Sequence, residues 1–172
     1  VTWVFGYGSL IWRPGFAYEE RVECRVTGWI RRFYQGSSDH RGVPGAPGRV
    51  VTLLEEPGGV VWGVVYRLSP RTAREVLGAL DVREQGGYER VVLRTFCADG
   101  VEREAVTYVA TPSNPDYLGP ASEAEIAEHV RGARGPSGAN LEYVLELAEA
   151  LRGMGVVDEH VHGIERALVH DT

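Results

Sequence analysis

A chain of 172 residues with 44% hydrophobic content is long enough for one substantial core, and its mixed composition is neither disordered nor fibrous. The net charge of −6, without a basic cluster, argues against a nucleic-acid surface or an anionic membrane as partner, so an anionic substrate must be met by individually placed arginines. Two cysteines, Cys24 and Cys97, form no CxxC pattern and read as reduced thiols rather than as a disulfide or metal pair.

The opening "VTWVF" is already strand-like and carries neither a basic n-region nor a long apolar span, so the expectation is a soluble, cytoplasmic protein. Strand signals continue through "TWVFGYG", "RVECRVTGWIRRFYQG", "RVVTLLE" and "GVVWGVVYRL", all rich in β-branched and aromatic residues. "EEPGG" reads as a tight connection between antiparallel neighbours. A helix follows in "SPRTAREVLGALDVRE", where Ser69 caps, Pro70 occupies the first turn, and Ala73, Val76, Leu77 and Leu80 form one apolar stripe. "ERVVLRTFC" and "VEREAVTYVA" are strands joined by the turn "ADG". Ser122 with Glu125 makes a capping box ahead of Ile126 and Val130. The next helix, "NLEYVLELAEALRG", carries Leu141, Val144, Leu145, Ala148 and Leu151 on one face and stops at Gly153; a last one runs through "EHVHGIERALV". The pattern predicts one domain over residues 1–172 of α+β class, with a small barrel-like sheet and peripheral helices. "SSDHRGVPGAPGR" and "SNPDYLGP" are too long for minimal turns and read as site-bearing loops.

Several stretches are candidates for chemistry. In "FGYGSLIW", glycines at a strand end let backbone N–H groups approach a ligand or an oxyanion closely; the alternative is a bulge or tight bend. The dinucleotide fingerprint fails because Ile11 stands where the third glycine belongs, and no Gly-Lys-Ser/Thr marks a phosphate loop. Ser9 lies outside a GxSxG elbow, and the adjacency of Ser38, Asp39 and His40 is no triad; Asp39-His40-Arg41 reads better as a hydrogen-bonding, anion-binding loop. His160 and His162 stand two apart on a helix and so face different ways, which disfavours a metal, and His129 reads as solvated. Glu84, in "REQGGYERVVL", is more informative. It sits at a helix C-terminus, where the macrodipole disfavours a carboxylate. Turned inward, it would have the raised pKa that suits a general base and later an acid; the alternative is a solvated surface carboxylate paired with Arg83 or Arg90.

Taken in order and spacing, "VFGYGSLIW", "FYQGSSDHRGVPGAPGRVVTL", "WGVVYRL", "REQGGYE", "NPDYLGP" and "GPSGANLEYVLELA" resemble the ChaC family of glutathione-specific γ-glutamylcyclotransferases, from about Trp3 to Ile164. The resemblance implies a small β-barrel with peripheral helices. It also implies cleavage of glutathione to 5-oxoproline and Cys-Gly, with no metal, nucleotide or prosthetic group. It places the catalytic glutamate on Glu84 and the substrate-binding strand and loop on Val4, Phe5, Gly6, Tyr7, Gly8 and Ser9. Gln35, Arg41 and Tyr143 are further candidates for gripping the rest of the peptide. The remaining alternatives are a cyclotransferase or hydrolase for another γ-glutamyl amide, and a γ-glutamyl-binding module without turnover. The presence of Glu84 counts against the last.

Overall fold

The computed structural model describes residues 1–170, apart from the side chains of residues 83–85. Five strands, β1 (Thr2–Gly6), β2 (Glu20–Ser37), β3 (Gly48–Leu68), β4 (Tyr88–Cys97) and β5 (Glu102–Ala110), close into a barrel in the order β1-β3-β2-β4-β5. The pairings β1–β3, β2–β4 and β4–β5 are antiparallel, and the parallel contact Val4↔Val106 between β1 and β5 closes the ring. Helices α1 (Ala73–Gln85), α2 (Glu123–Arg131), α3 (Asn140–Gly153) and α4 (Glu159–His170), with the two-residue strands β6 (Arg134–Gly135) and β7 (Gly138–Ala139), complete the α+β architecture. Among the described residues no helix is long and apolar enough to cross a membrane.

The chain forms two compact units, Val1–Ile30 with Leu53–Pro115, and Arg31–Thr52 with Asp116–Thr172. In the first, Val4, Leu68, Leu80 and Tyr108 are buried together, and Ala73, Val76, Leu77 and Val106 pack against them. The apolar stripe of the first helix thus covers the barrel wall, as its spacing predicts. The helix itself begins at Ala73, not at Pro70: Ser69 accepts from the N–H groups of Thr72 and Ala73 through its carbonyl, and from that of Arg71 through its hydroxyl, so a capped turn precedes the first helical residue.

The segment "EEPGG" is not a hairpin turn. Glu55–Gly59 lies inside β3, which runs unbroken for 21 residues. The left-handed backbone at Gly58 (φ 80°) inserts a bend without ending the strand, and Gly28 (φ 84°) does the same in β2. Strands that bend this sharply are what a five-stranded barrel needs in order to close. "ADG" does turn: Gly100 donates to the Cys97 carbonyl at 2.9 Å, and Cys97 donates to the Val101 carbonyl at 3.1 Å.

In the second unit the three helices bury Ile126, Val130, Val144, Leu147, Leu151, Val161 and Ile164. The capping box of α2 is formed by Ser122 and Glu125. The buried stripe of α3 is rotated from the expected one. Asn140, Tyr143, Val144, Leu147, Ala148 and Leu151 face inward, whereas Leu141 is exposed and Leu145 half-buried. The polar members explain the shift: Asn140 exchanges two hydrogen bonds with the Arg49 backbone (2.7 and 2.8 Å), and the Tyr143 hydroxyl accepts from the Val51 N–H at 3.3 Å. Hydrophobicity alone does not register that a polar face is docked against strand backbone.

The histidines serve this unit as backbone partners. His160 Nε2 accepts from the Phe33 N–H at 3.0 Å. His162 Nδ1 accepts from the Asp158 N–H at 3.0 Å, which leaves Nε2–H to donate to the Ala148 carbonyl at 3.1 Å. His129 is not solvated as expected. It is half-buried, and its Nε2 donates to the Pro47 carbonyl at 2.7 Å. Asp158 receives Arg31 at 2.8 Å and the Val161 N–H at 3.1 Å, so one carboxylate caps α4 and neutralises a fully buried guanidinium.

Candidate active site

Strand β1 delivers Val4, Phe5 and Gly6 into the barrel wall, all buried, and continues through buried Tyr7 and Gly8 into a single 3-10 turn at Ser9–Ile11. The turn is closed by the Ile11 N–H on the Gly8 carbonyl at 2.9 Å and the Arg13 N–H on the Ser9 carbonyl at 2.7 Å. The chain can double back here because Gly6 has no Cβ: one placed there would lie 2.7 Å from the Cβ of Leu10. The strand is also tied at its end. Thr107 Oγ1 donates to the Phe5 carbonyl at 2.9 Å and the Tyr7 hydroxyl donates to the Tyr108 carbonyl at 2.7 Å. The Tyr66 hydroxyl reaches over the turn to the carbonyls of Leu10 (2.6 Å) and Ile11 (3.2 Å). Tyr-Gly-Ser is therefore a fixed segment.

Glu84 lies in the last turn of α1, in the same compact unit; its side chain is outside the described residues. The backbone around it is held at two points. Three residues before it, Asp81 accepts a hydrogen bond from the Tyr108 hydroxyl and stands 3.5 Å from Arg90. Two residues after it, the Gly86 carbonyl accepts from Asn114 Nδ2 at 3.0 Å. Gly87 has φ 89°, and a Cβ there would sit 3.1 Å from Pro115 and 3.2 Å from the Asn114 amide. The turn after the glutamate needs glycine on both counts.

The second unit holds Gln35, Arg41 and Tyr143, all buried. The guanidinium of Arg41 lies 5.8 Å from the ring centre of Tyr143, donates to the Ala139 carbonyl at 3.1 Å, and faces Glu142 at 3.5 Å and Glu146 at 4.0 Å. The backbone N–H of Arg41 donates to Ser37 Oγ at 2.9 Å. Gln35 bridges Tyr117 through the backbone, which brings the "PDYLGP" block beside β2. The loop "SSDHRGVPGAPGR" is closed on itself by mutual hydrogen bonds between Val43 and Ala46. It is pressed against the β6–β7 hairpin so closely that a Cβ on Gly135 would fall 2.4 Å from the His40 carbonyl oxygen and 2.5 Å from the Gly42 nitrogen. Two backbones touch here, which is why the loops are glycine-rich.

His40 Nδ1 pairs with Ser137 Oγ at 3.1 Å and Asp39 stands 3.7 Å from Nε2, but the His40 and Asp39 side chains are 69% and 78% exposed. Such a solvated carboxylate does not hold an imidazole in one tautomer, as a triad requires. Among the described residues no three His, Cys, Asp or Glu side chains gather as metal ligands would. Cys24 and Cys97, remote in sequence, are opposite one another on β2 and β4, both buried and both free thiols. Burial, and then the neighbouring Cys97, push the Cys24 thiol well above its ordinary pKa.

The sequence reading missed Asp81, Tyr108 and Asn114. Asn114 was within reach, since it stands in the "SNPDYLGP" loop. Tyr108 looked like any aromatic strand residue.

A family model described as ChaC-like protein matches residues 2–171. The chain is 46% identical over 172 residues to the human glutathione-specific gamma-glutamylcyclotransferase 1, covering 96% of this chain and 78% of the human one. It is 33% identical to the glutathione-specific gamma-glutamylcyclotransferase of Saccharomyces cerevisiae, over 91% of this chain and 88% of that one. The crystal structure of a selenomethionine-labelled yeast γ-glutamyl cyclotransferase specific to glutathione superposes with a TM-score of 0.88 at 29% identity, covering 97% of this chain and 95% of that one. With the barrel, the Tyr-Gly-Ser turn and this match along nearly the whole length, the chain belongs to the ChaC-like family.

Proposed function

We propose that the protein is a glutathione-specific γ-glutamylcyclotransferase, converting glutathione to 5-oxoproline and Cys-Gly. The observation that carries this reading is the 46% identity, over 96% of the chain, to a relative of that name. The reaction needs no external nucleophile. The α-amine of the γ-glutamyl group attacks its own γ-carbonyl, a five-membered lactam closes, and the amide bond to cysteine breaks.

Ring closure is intramolecular, so the protein's task is to fold the γ-glutamyl arm into a near-attack shape, where effective molarity is very large. Glu84 takes a proton from the α-ammonium, freeing its lone pair. The same carboxyl group then returns a proton to the departing amide nitrogen. Backbone N–H groups of the rigid Tyr7–Ser9 turn hold the α-carboxylate or the oxyanion that forms on the γ-carbonyl. Within the second unit, Gln35, Arg41 and Tyr143 are the candidates for contacts to the peptide end. The Arg41 guanidinium is oriented by the Ala139 carbonyl and the Tyr143 ring, and a peptide carboxylate would compete there with Glu142 and Glu146.

Incubation with glutathione and mass spectrometry of the products tests the reaction, and Glu84→Gln tests the base. The expected products are 5-oxoproline and Cys-Gly in equal amounts, and the substitution should lower turnover by roughly two to four powers of ten in a folded protein. A well-folded Glu84→Gln enzyme with comparable activity would remove Glu84 from the role of base.

A further inference from the structure

A general base in the last turn of a helix needs support, because the last carbonyls of any helix lack intrahelical partners. Proton transfer within a near-attack complex tolerates displacements of only about 0.5 Å. Something must therefore hold the last turn of α1. The fastening at Asp81 is unusual in kind. Tyr108 is buried on β5, yet its hydroxyl leaves the apolar cluster of Val4, Leu68 and Leu80 to reach a carboxylate on the helix. A hydrogen bond from a phenol to a carboxylate fixes direction as well as distance. Asp81 precedes Glu84 by three residues, about one turn along the same helix. The same Tyr108 accepts the Tyr7 hydroxyl at its carbonyl, so one residue grips both the Tyr-Gly-Ser segment and the helix of the glutamate.

We propose that Tyr108 and Asp81 are positioning residues for the reaction: through the phenol–carboxylate bond they set Glu84 relative to the Tyr7–Ser9 turn. The inference rests on Glu84 being the base. Asn114 acts in the same sense from the other side, through the Gly86 carbonyl, but it also orders its own loop by donating its N–H to the Thr111 carbonyl. Tyr108 and Asp81 give the cleaner test. Arg90, which pairs with Tyr108 across β4 and β5, stands 3.5 Å from Asp81 and helps to orient the carboxylate.

The test is a double-mutant cycle between Tyr108→Phe and Glu84→Gln, read as kcat and KM for glutathione in the full-length chain. Tyr108→Phe keeps the ring in the core and deletes one hydroxyl. Acting through Glu84, it should lower kcat about tenfold with KM changed less than about twofold. In the Glu84→Gln background it should leave the residual turnover unchanged, since there is no base left to misplace. On the helix side, Asp81→Asn retains an acceptor oxygen for the phenol and should keep several times the kcat of Asp81→Ala. If Tyr108→Phe folds poorly, this Asp81 pair, taken through the same cycle, makes the decision. Equal loss from Tyr108→Phe in both backgrounds, or no loss in kcat, overturns the proposal. If Glu84→Gln alone is fully active, it is the assignment of the base that has failed, and the proposal falls with it.

Discussion

The Phe33 N–H on β2 donates to Nε2 of His160, an imidazole carried by α4. That bond needs the lone pair, and protonation destroys it. Burial, and after it the positive charge of Arg32, lower the His160 pKa to about 4, opposed by Asp158 and reinforced by Arg31. Between pH 6.5 and about 4 the unfolded chain takes up a proton that the folded one refuses. Stability from this group is therefore complete above the ordinary histidine range and is lost progressively as pH falls toward 4, by up to about 3 kcal/mol. Urea titrations across this range, with His160→Gln as reference, should show a slope in the parent that the variant lacks. Parallel pH profiles would refute the assignment.

Asn140 imitates a strand toward Arg49, accepting from its N–H and donating to its carbonyl. Asn140→Ala leaves two buried backbone groups without partners and should cost about 2–4 kcal/mol by denaturant unfolding. A loss under about 1 kcal/mol would mean that water or a shifted loop replaces the amide.

Gly6→Ala brings a methyl to 2.7 Å from the Leu10 Cβ, an atom too close to the backbone to swing aside. The turn must move as a whole, and the Tyr7–Ser9 N–H groups move with it. The expected result is a kcat/KM for glutathione lower by about a hundredfold, with a much smaller change in melting temperature. Unchanged kinetics would separate this turn from the reacting groups.

Blocking the attacking nitrogen tests the cyclisation directly. Glutathione acetylated on the γ-glutamyl α-amine has no nucleophilic lone pair, so it should give no Cys-Gly even when it binds. Free glutamate as primary product, or solvent oxygen-18 in the 5-oxoproline ring carbonyl, would show that water attacks instead.

The strands and helices were legible because barrel and bundle faces obey simple periods, and the stripe of Ala73, Val76, Leu77 and Leu80 is a case in point. Other readings failed where composition or an apolar count stood in for geometry. "EEPGG" has the composition of a turn, but its Gly58 serves as a bulge, and composition cannot distinguish a reversal from a bend. The α3 stripe held at Val144, Ala148 and Leu151 but missed at Leu141 and Leu145, because Asn140 and Tyr143 dock as hydrogen-bonding groups, which an apolar count ignores. Of the site, the Tyr-Gly-Ser turn could be seen in its glycines. The Tyr108–Asp81 bond could not, since it joins residues 27 apart whose types suggest only a strand aromatic and a helix carboxylate.

The opposed thiols of Cys24 and Cys97 bear on how such an enzyme relates to its surroundings. Consuming glutathione depletes the reductant that governs thiol–disulfide exchange around the protein itself. Exchange requires an accessible thiolate, and here one sulfur is held strongly protonated by burial while both are enclosed in the barrel wall. The catalyst is thus insulated from the consequence of its own turnover: as glutathione falls and oxidants rise, its cysteines have no channel through which to register the change.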